Sequence, residues 1–281
     1  MFLRVQEKEI TIGMVNMRDK KTMVFPVILA DICCLGSIQS HGEPQQDSPA
    51  SKEAAVLFKQ VEDRFDLVQS LQYTVERVSG KSMADSKERW RFSFVNPSKL
   101  RVDYEAPLER LIVMNEEVFW EYIPAARKAA KTDLTRLSDL EKQKLVSMTM
   151  ARLSIDGLRM GNYQTMLDRV VSVKSLDRDP NIVVVEGEKP RFVLKIDKAK
   201  KALVQTEIYD EKGLLQVITR AKGFSEVAPG YWWPEEIAAE YETDKGVLIA
   251  RVHFSEIHVN ETIPEKQFTY TPVAGVQVLE K

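Results

Sequence analysis

The chain has 281 residues, 44% hydrophobic and 29% charged, enough to bury a sizeable core without a metal or disulfide staple. Its 40 basic and 42 acidic residues give a net charge of −2 with no block of one sign, so it lacks the electrostatic footprint of a nucleic-acid binder, and no nucleic-acid partner is expected. Three histidines (His41, His253, His258) and two adjacent cysteines (Cys33, Cys34) are too few for most metal or thiolate chemistry, so neither a metal nor a cofactor is expected.

Arg18, Lys20 and Lys21 precede a mostly apolar run from residue 22 to 38, and polar residues follow. This is the layout of an export signal. Pro26 and Asp31 interrupt the run, and its clean part falls short of the ~20 residues needed to span a bilayer. Glu7 and Glu9 do not suit the start of such a signal, which places the expected start at Met17 or Met14. Residues 1–42 read as the signal, 43–50 as a polar linker and 51–281 as one domain. A cysteine at the end of an export signal is a site for a lipid anchor, and an anchor on Cys33 or Cys34 would make the chain an outer-membrane lipoprotein. The small residue expected before such a cysteine is missing, since Ile32 precedes Cys33. Cysteines discarded with the signal are the favoured reading. A cysteine-free mature chain suits an oxidising space, and the expected location is the periplasm.

Ser48 followed by Pro49 is a helix start, with a hydroxyl cap and proline at the first helical position. Ala54, Leu57, Phe58, Val61, Phe65 and Val68 then recur at three- and four-residue intervals, predicting an amphipathic helix that lies on something. After Leu71 the period becomes two. Tyr73 and Val75, then Trp90, Phe92 and Phe94, then Leu100, Val102 and Tyr104, then Val118, Trp120 and Tyr122 predict half-buried antiparallel strands. The alternation breaks between residues 133 and 170, where Ser138 and Glu141 form a capping box and Leu140, Leu145, Met148, Leu153 and Ile155 supply an apolar side. One or two helices are expected there. Strands resume in VVSVKSL, NIVVVEG, RFVLKID, ALVQTEIYD, LLQVITR, EIAAEYE and VLIARVHFSEIHV, with QFTYTP as the last. Roughly ten strands, one preceding helix and one helical insertion predict a single large curved antiparallel sheet, mostly β, covered by those helices.

No nucleophile elbow, P-loop, dinucleotide fingerprint or zincin helix occurs, so no catalytic residue is assigned and the chain is not expected to be an enzyme. His253 and His258, five apart in a predicted strand, point to opposite faces and cannot share a ligand. Asn260-Glu261-Thr262 matches a glycosylation pattern frequent by chance. What remains is apolar. The inward candidates of the early strands are large, and Met148, Met150, Met160 and Met166 are flexible enough to repack against an irregular guest. A filled core and an open pocket share this pattern.

Residues 96–124, NPSKLRVDYEAPLERLIVMNEEVFWEYIP, place Pro97, Leu100, Val102, Tyr104, Pro107, Val113, Trp120, Tyr122 and Pro124 as in the LolA/LolB outer-membrane lipoprotein carrier family, which the segment resembles. The closing stretch QFTYTPVAGVQV, residues 267–278, is similar to that family's last strand. Two places depart from the pattern. Asn96 stands where LolA proteins commonly have an arginine that ties barrel to lid, and Asn115-Glu116 replaces an aspartate-glycine turn. The resemblance implies an incomplete antiparallel barrel closed by helices. It further implies a monomeric periplasmic carrier that takes lipoprotein acyl chains, or a related lipid, from an inner-membrane donor complex to an outer-membrane acceptor. The residues expected to line its cavity are Leu57, Val61, Phe65, Trp90, Phe92, Phe94, Leu100, Val102, Tyr104, Trp120 and Met148. A membrane-tethered acceptor of the same fold, and a periplasmic sensor or scaffold, are the rival readings.

Overall fold

The structure, a computed structural model, describes residues 48–80, 86–138, 140–142, 145, 164–243 and 246–280. The expected export signal and Met148 therefore lie outside the described residues. Among the described residues no helix is long and apolar enough to cross a membrane.

Helix α1 (Pro49–Asp66) begins where the sequence placed it, because the Ser48 hydroxyl accepts from the Ser51 amide at 3.0 Å and Pro49 needs no amide partner there. Ser51 in turn donates its hydroxyl to the Leu167 carbonyl at 3.0 Å, tying the helix start to the short helical turn Gln164–Leu167. Ala54, Leu57, Phe58 and Val61 are buried, while Lys59 and Asp63 pair at 2.6 Å on the outer side.

Among the described residues fourteen strands form one sheet: β1 (Ser70–Gly80), β2 (Ser86–Val95), β3 (Lys99–Ala106), β4 (Arg110–Met114), β5 (Val118–Ile123), β6 (Lys128–Asp133), β7 (Val170–Leu176), β8 (Asp179–Gly187), β9 (Phe192–Asp197), β10 (Ala202–Tyr209), β11 (Leu215–Ala228), β12 (Tyr231–Tyr241), β13 (Leu248–Val259) and β14 (Gln277–Glu280). Their order is β14-β6-β5-β4-β3-β2-β1-β13-β12-β11-β10-β9-β8-β7. Two meanders, β1–β6 and β7–β13, are thus joined by the β1–β13 pair, with β14 added in parallel on β6. The outermost strands do not pair with each other, so the sheet stays open. This is the expected architecture, mostly β with an N-terminal helix, in the manner of an incomplete barrel.

The last strand differs from its sequence reading. Glu265–Phe268 is a 3-10 turn, Thr269–Pro272 joins no ladder, and β14 starts only at Gln277. Proline lacks a ladder donor, and Gly275 at φ 85° turns the chain back onto β6. Strand β6, KAAKTD, was missed because only Ala129 of it is buried, which leaves the alternation without an apolar mark.

Candidate functional site

Cross-strand register arranges the early strands into rows on one face of the sheet, the face that Phe65 of α1 packs against. One row is Leu71, Phe94, Leu100, Met114 and Phe119. The next is Tyr73, Phe92, Val102, Ile112 and Glu121, and the third is Phe254, Val75, Trp90, Tyr104 and Arg110. Side chains directly opposite across a ladder share a face, so each row is a line of neighbours. Trp90, Phe92, Phe94, Leu100, Val102 and Tyr104, all expected on sequence grounds, are brought together in this way. Phe65 of α1 packs against the same cluster.

The other expected residues go elsewhere. Leu57 and Val61 belong to a second cluster, with Ala54 and Phe58 of α1 against Val170, Val183, Val185, Phe192, Leu194 and Ile196. One helix therefore bridges two apolar regions of a single sheet. Between them lies a register row of small side chains, Thr206, Thr219, Ala239, Ala250 and Ser79. Trp120 does not join either cluster. It lies on the opposite face with Val113 and Ala129, covered by Tyr270 and Val276 of the C-terminal segment. The T-shaped Trp120–Tyr270 contact has ring centroids 5.4 Å apart, and Tyr122 stacks on Tyr270 at 5.2 Å. Phe119 takes the place on the α1 face that the sequence reading gave to Trp120.

Two further residues of the face come from the start of β12. In GYWWPEEI, Tyr231 and Trp233 are buried at 4% and 0% exposure and extend the aromatic cluster across β12. Trp233 lies 5.6 Å from Tyr73 and 5.6 Å from Phe254, measured between ring centroids. Trp232 alternates away. Its carbonyl accepts from Arg64 Nη1 at 2.9 Å, and Lys200 Nζ lies 5.7 Å from its ring.

Electrostatics mark the borders of the face. Arg110 pairs with Glu121 at 2.7 Å, and its guanidinium stands 5.6 Å from the Tyr104 ring centroid. Arg77 approaches Glu88 at 3.6 Å at the opposite side. Arg64, 4% exposed and packed over Phe65 at 4.7 Å, has its pKa lowered by burial. Burial likewise pushes the Tyr73 hydroxyl well above its ordinary range, since an ionised phenolate would be desolvated there. A shallow cleft of about 320 Å³, bounded by Asp103, Glu105, Arg110, Tyr122 and Tyr270, opens on the opposite face, beside the C-terminal segment. Among the described residues no group of three or more His, Cys, Asp or Glu could hold a metal ion.

No protein-family model and no curated protein matches the chain. Solved structures align with most of it. An outer membrane lipoprotein-sorting protein domain from Vibrio parahaemolyticus is 15% identical with a TM-score of 0.49, the alignment covering 78% of this chain and 97% of that one. A LolA superfamily protein from Nitrosomonas europaea is 16% identical with a TM-score of 0.47, covering 77% and 97%. A DUF1329 family protein from Desulfovibrio piger is 11% identical with a TM-score of 0.49, covering 82% and 100%. At these identities the likeness is one of fold alone.

Proposed function

We propose that this chain is a periplasmic carrier that shelters the acyl chains of lipoproteins, or of a related lipid, against the α1 face of its sheet and moves them between inner and outer membrane. The observation that carries the reading is the uneven fastening of α1 over that face. Its stretch from Ala54 to Val61 is anchored by Ala54, Leu57, Phe58 and Val61, each no more than 6% exposed. Its C-terminal end rests on the half-buried Phe65, on the hydrogen bond from Arg64 to the Trp232 carbonyl and on that from Asn260 to the carbonyl of the cap residue Leu67. A helix held in this way can lift at one end and lay bare the aromatic rows while staying attached at the other.

Burial alone supplies the affinity. Each acyl methylene moved out of water is worth about 0.8 kcal/mol, so a lipid anchor can be carried with no catalytic residue. The tie between helix and sheet, which the resemblance would place at Asn96, is supplied here from the helix side by Arg64. Release follows when a membrane or a receptor competes for the chains and α1 closes again.

The test is mild purification from the periplasm, native mass spectrometry and organic extraction of the same sample. Discrete bound lipid or acylated protein is the expected result. A homogeneous lipid-free mass that persists when lipid is offered would overturn the carrier reading in favour of a scaffold. The mass of the mature N-terminus separates a soluble carrier from an acceptor lipidated at Cys33 or Cys34.

A further inference from the structure

Five cations far apart in the sequence meet in one register row. Lys174 stands opposite Val184, Val184 opposite Lys195, Lys195 opposite Gln205 and Gln205 opposite Arg220. From Arg220 the row continues through Ala238, Arg251 and Val78 to Lys87. Every second strand from β7 to β2 therefore contributes one cation, and the strands between contribute uncharged side chains. The row faces away from α1, because Lys195 and Arg251 alternate with Leu194 and Val252, which belong to the apolar clusters of the other face.

Lys87, Lys174, Arg220 and Arg251 are exposed and Lys195 is half-buried. Arg220 pairs with Glu240 at 2.6 Å, whereas among the described residues the other four form no ion pair. Carboxylates stand in the rows on either side, Glu186, Glu207 and Glu240 along one and Glu76 and Glu236 along the other. Each of these already has a partner, respectively Ser172, Tyr209, Arg220, Arg89 and Lys222.

Rows two residues apart along a strand are separated by about 6.7 Å, so the basic stripe is one side chain wide and has acidic borders. A flat anionic bilayer would press on those carboxylates as well as on the cations, and like charges repel. A single extended chain laid along the stripe meets the cations alone. A nucleic-acid strand of that width uses aromatic side chains to stack its bases, and the row has none. An acidic polypeptide needs only the charges. Neighbouring cations are two strand spacings apart, about 9.6 Å, and three residues of a polyproline II segment rise about 9.3 Å and return to the same side.

We propose that this row is a docking furrow for an extended acidic segment of a partner protein, with a carboxylate at every third residue. The furrow lies opposite the aromatic rows and is independent of the carrier reading.

The probe is a fluorescent peptide of five Pro-Pro-Glu repeats, titrated with the purified protein and read by anisotropy. It is expected to bind, to weaken as salt rises from about 20 to about 200 mM, and to bind far better than its Pro-Pro-Gln counterpart. Lys195→Gln with Arg251→Gln should weaken it roughly three- to ten-fold, and Lys87→Gln with Lys174→Gln, at the exposed ends of the row, should do likewise. Lys212→Gln with Lys266→Gln removes the same charge from exposed positions off the row and should change affinity less than about two-fold. No binding of the glutamate peptide, or an equal loss from the off-row pair, would overturn the proposal. Equal binding of a peptide of the same composition with its glutamates adjacent would overturn it too, since bulk attraction would then suffice. So would capture by dioleoylphosphatidylglycerol vesicles that Lys195→Gln with Arg251→Gln abolishes, because the row would then be a membrane site.

Discussion

Asn260 holds the left-handed conformation at φ 60°, and its side-chain amide reaches the backbone of the segment between α1 and β1. Its Oδ1 accepts from the Gln69 amide at 2.7 Å and the Ser70 amide at 3.4 Å, and its Nδ2 donates to the Leu67 carbonyl at 3.2 Å. The glycosylation-like triplet drew attention to this asparagine for another reason; what mattered is that asparagine tolerates this conformation and can bond locally. Asn260→Ala is expected to lower stability by about 2 kcal/mol in urea unfolding, and Asn260→Gly by less, since glycine restores the conformation without the hydrogen bonds. Gly187 is constrained in another way. It faces Phe192 across the β8–β9 ladder, and a Cβ there would sit 2.1 Å from Phe192 Cε1. Gly187→Ala should therefore cost roughly 1–3 kcal/mol by overpacking. Adding Phe192→Leu to that variant should recover part of the loss, a coupling that a double-mutant cycle measures.

Helix α1 gives a matched pair of substitutions. Phe58 is fully buried in the second cluster, and Phe58→Ala should destabilise the whole protein by about 3–5 kcal/mol. Phe65→Ala should cost less and speed lipid exchange, because it loosens the end that is held by Arg64. The capping box at Ser138 and Glu141 carries a pH dependence. The Glu141 carboxylate accepts from the Ser138 hydroxyl at 2.7 Å and from the Ser138 amide at 2.8 Å, which holds it below the ordinary carboxylate range. A depressed carboxylate stabilises above its unfolded value and loses that contribution as pH falls through its folded one. Protection of the Ser138 amide, measured against its intrinsic exchange rate, should accordingly fall only in acid, and Glu141→Gln should abolish the transition. Both α1 and this box were readable because capping and a period of 3.6 are local properties. Trp120 was not. Strand β5 carries aromatics on both sides, and which of them faces α1 is decided by the distant segment that brings Tyr270 over Trp120. The same non-local cause hid Trp233, whose partners Tyr73 and Phe254 lie on other strands.

For the molecule as a whole, the C-terminal segment acts as a strap over the face opposite α1. Phe268 is 1% exposed, Asn115 Nδ2 donates to the Phe268 carbonyl at 3.2 Å, and Arg101 Nη1 donates to the Gln267 carbonyl at 3.1 Å. Asn115 also accepts from the Glu117 and Val118 amides at 2.9 Å each, so it shapes its own turn while it fastens the strap. A chain ending before Glu265 would uncover Trp120 and Val113 and leave the β6 edge unpaired. Such an edge recruits other chains, and concentration-dependent association in sedimentation velocity is the expected result.

The join between the two meanders has a consequence in time. Strand β1 is made early and its second partner β13 late; Ser70 donates to the Glu261 carbonyl across 191 residues of chain. Neighbouring hairpins need only short loop closures, so both halves can assemble independently, whereas the seam must wait for almost the entire polypeptide. Until the final third has been delivered, the newborn N-terminal half presents an unfinished border beside its aromatic rows. That interval is when the chain is most exposed to misassociation, and it makes a holding factor during synthesis or export most valuable before residue 259 emerges.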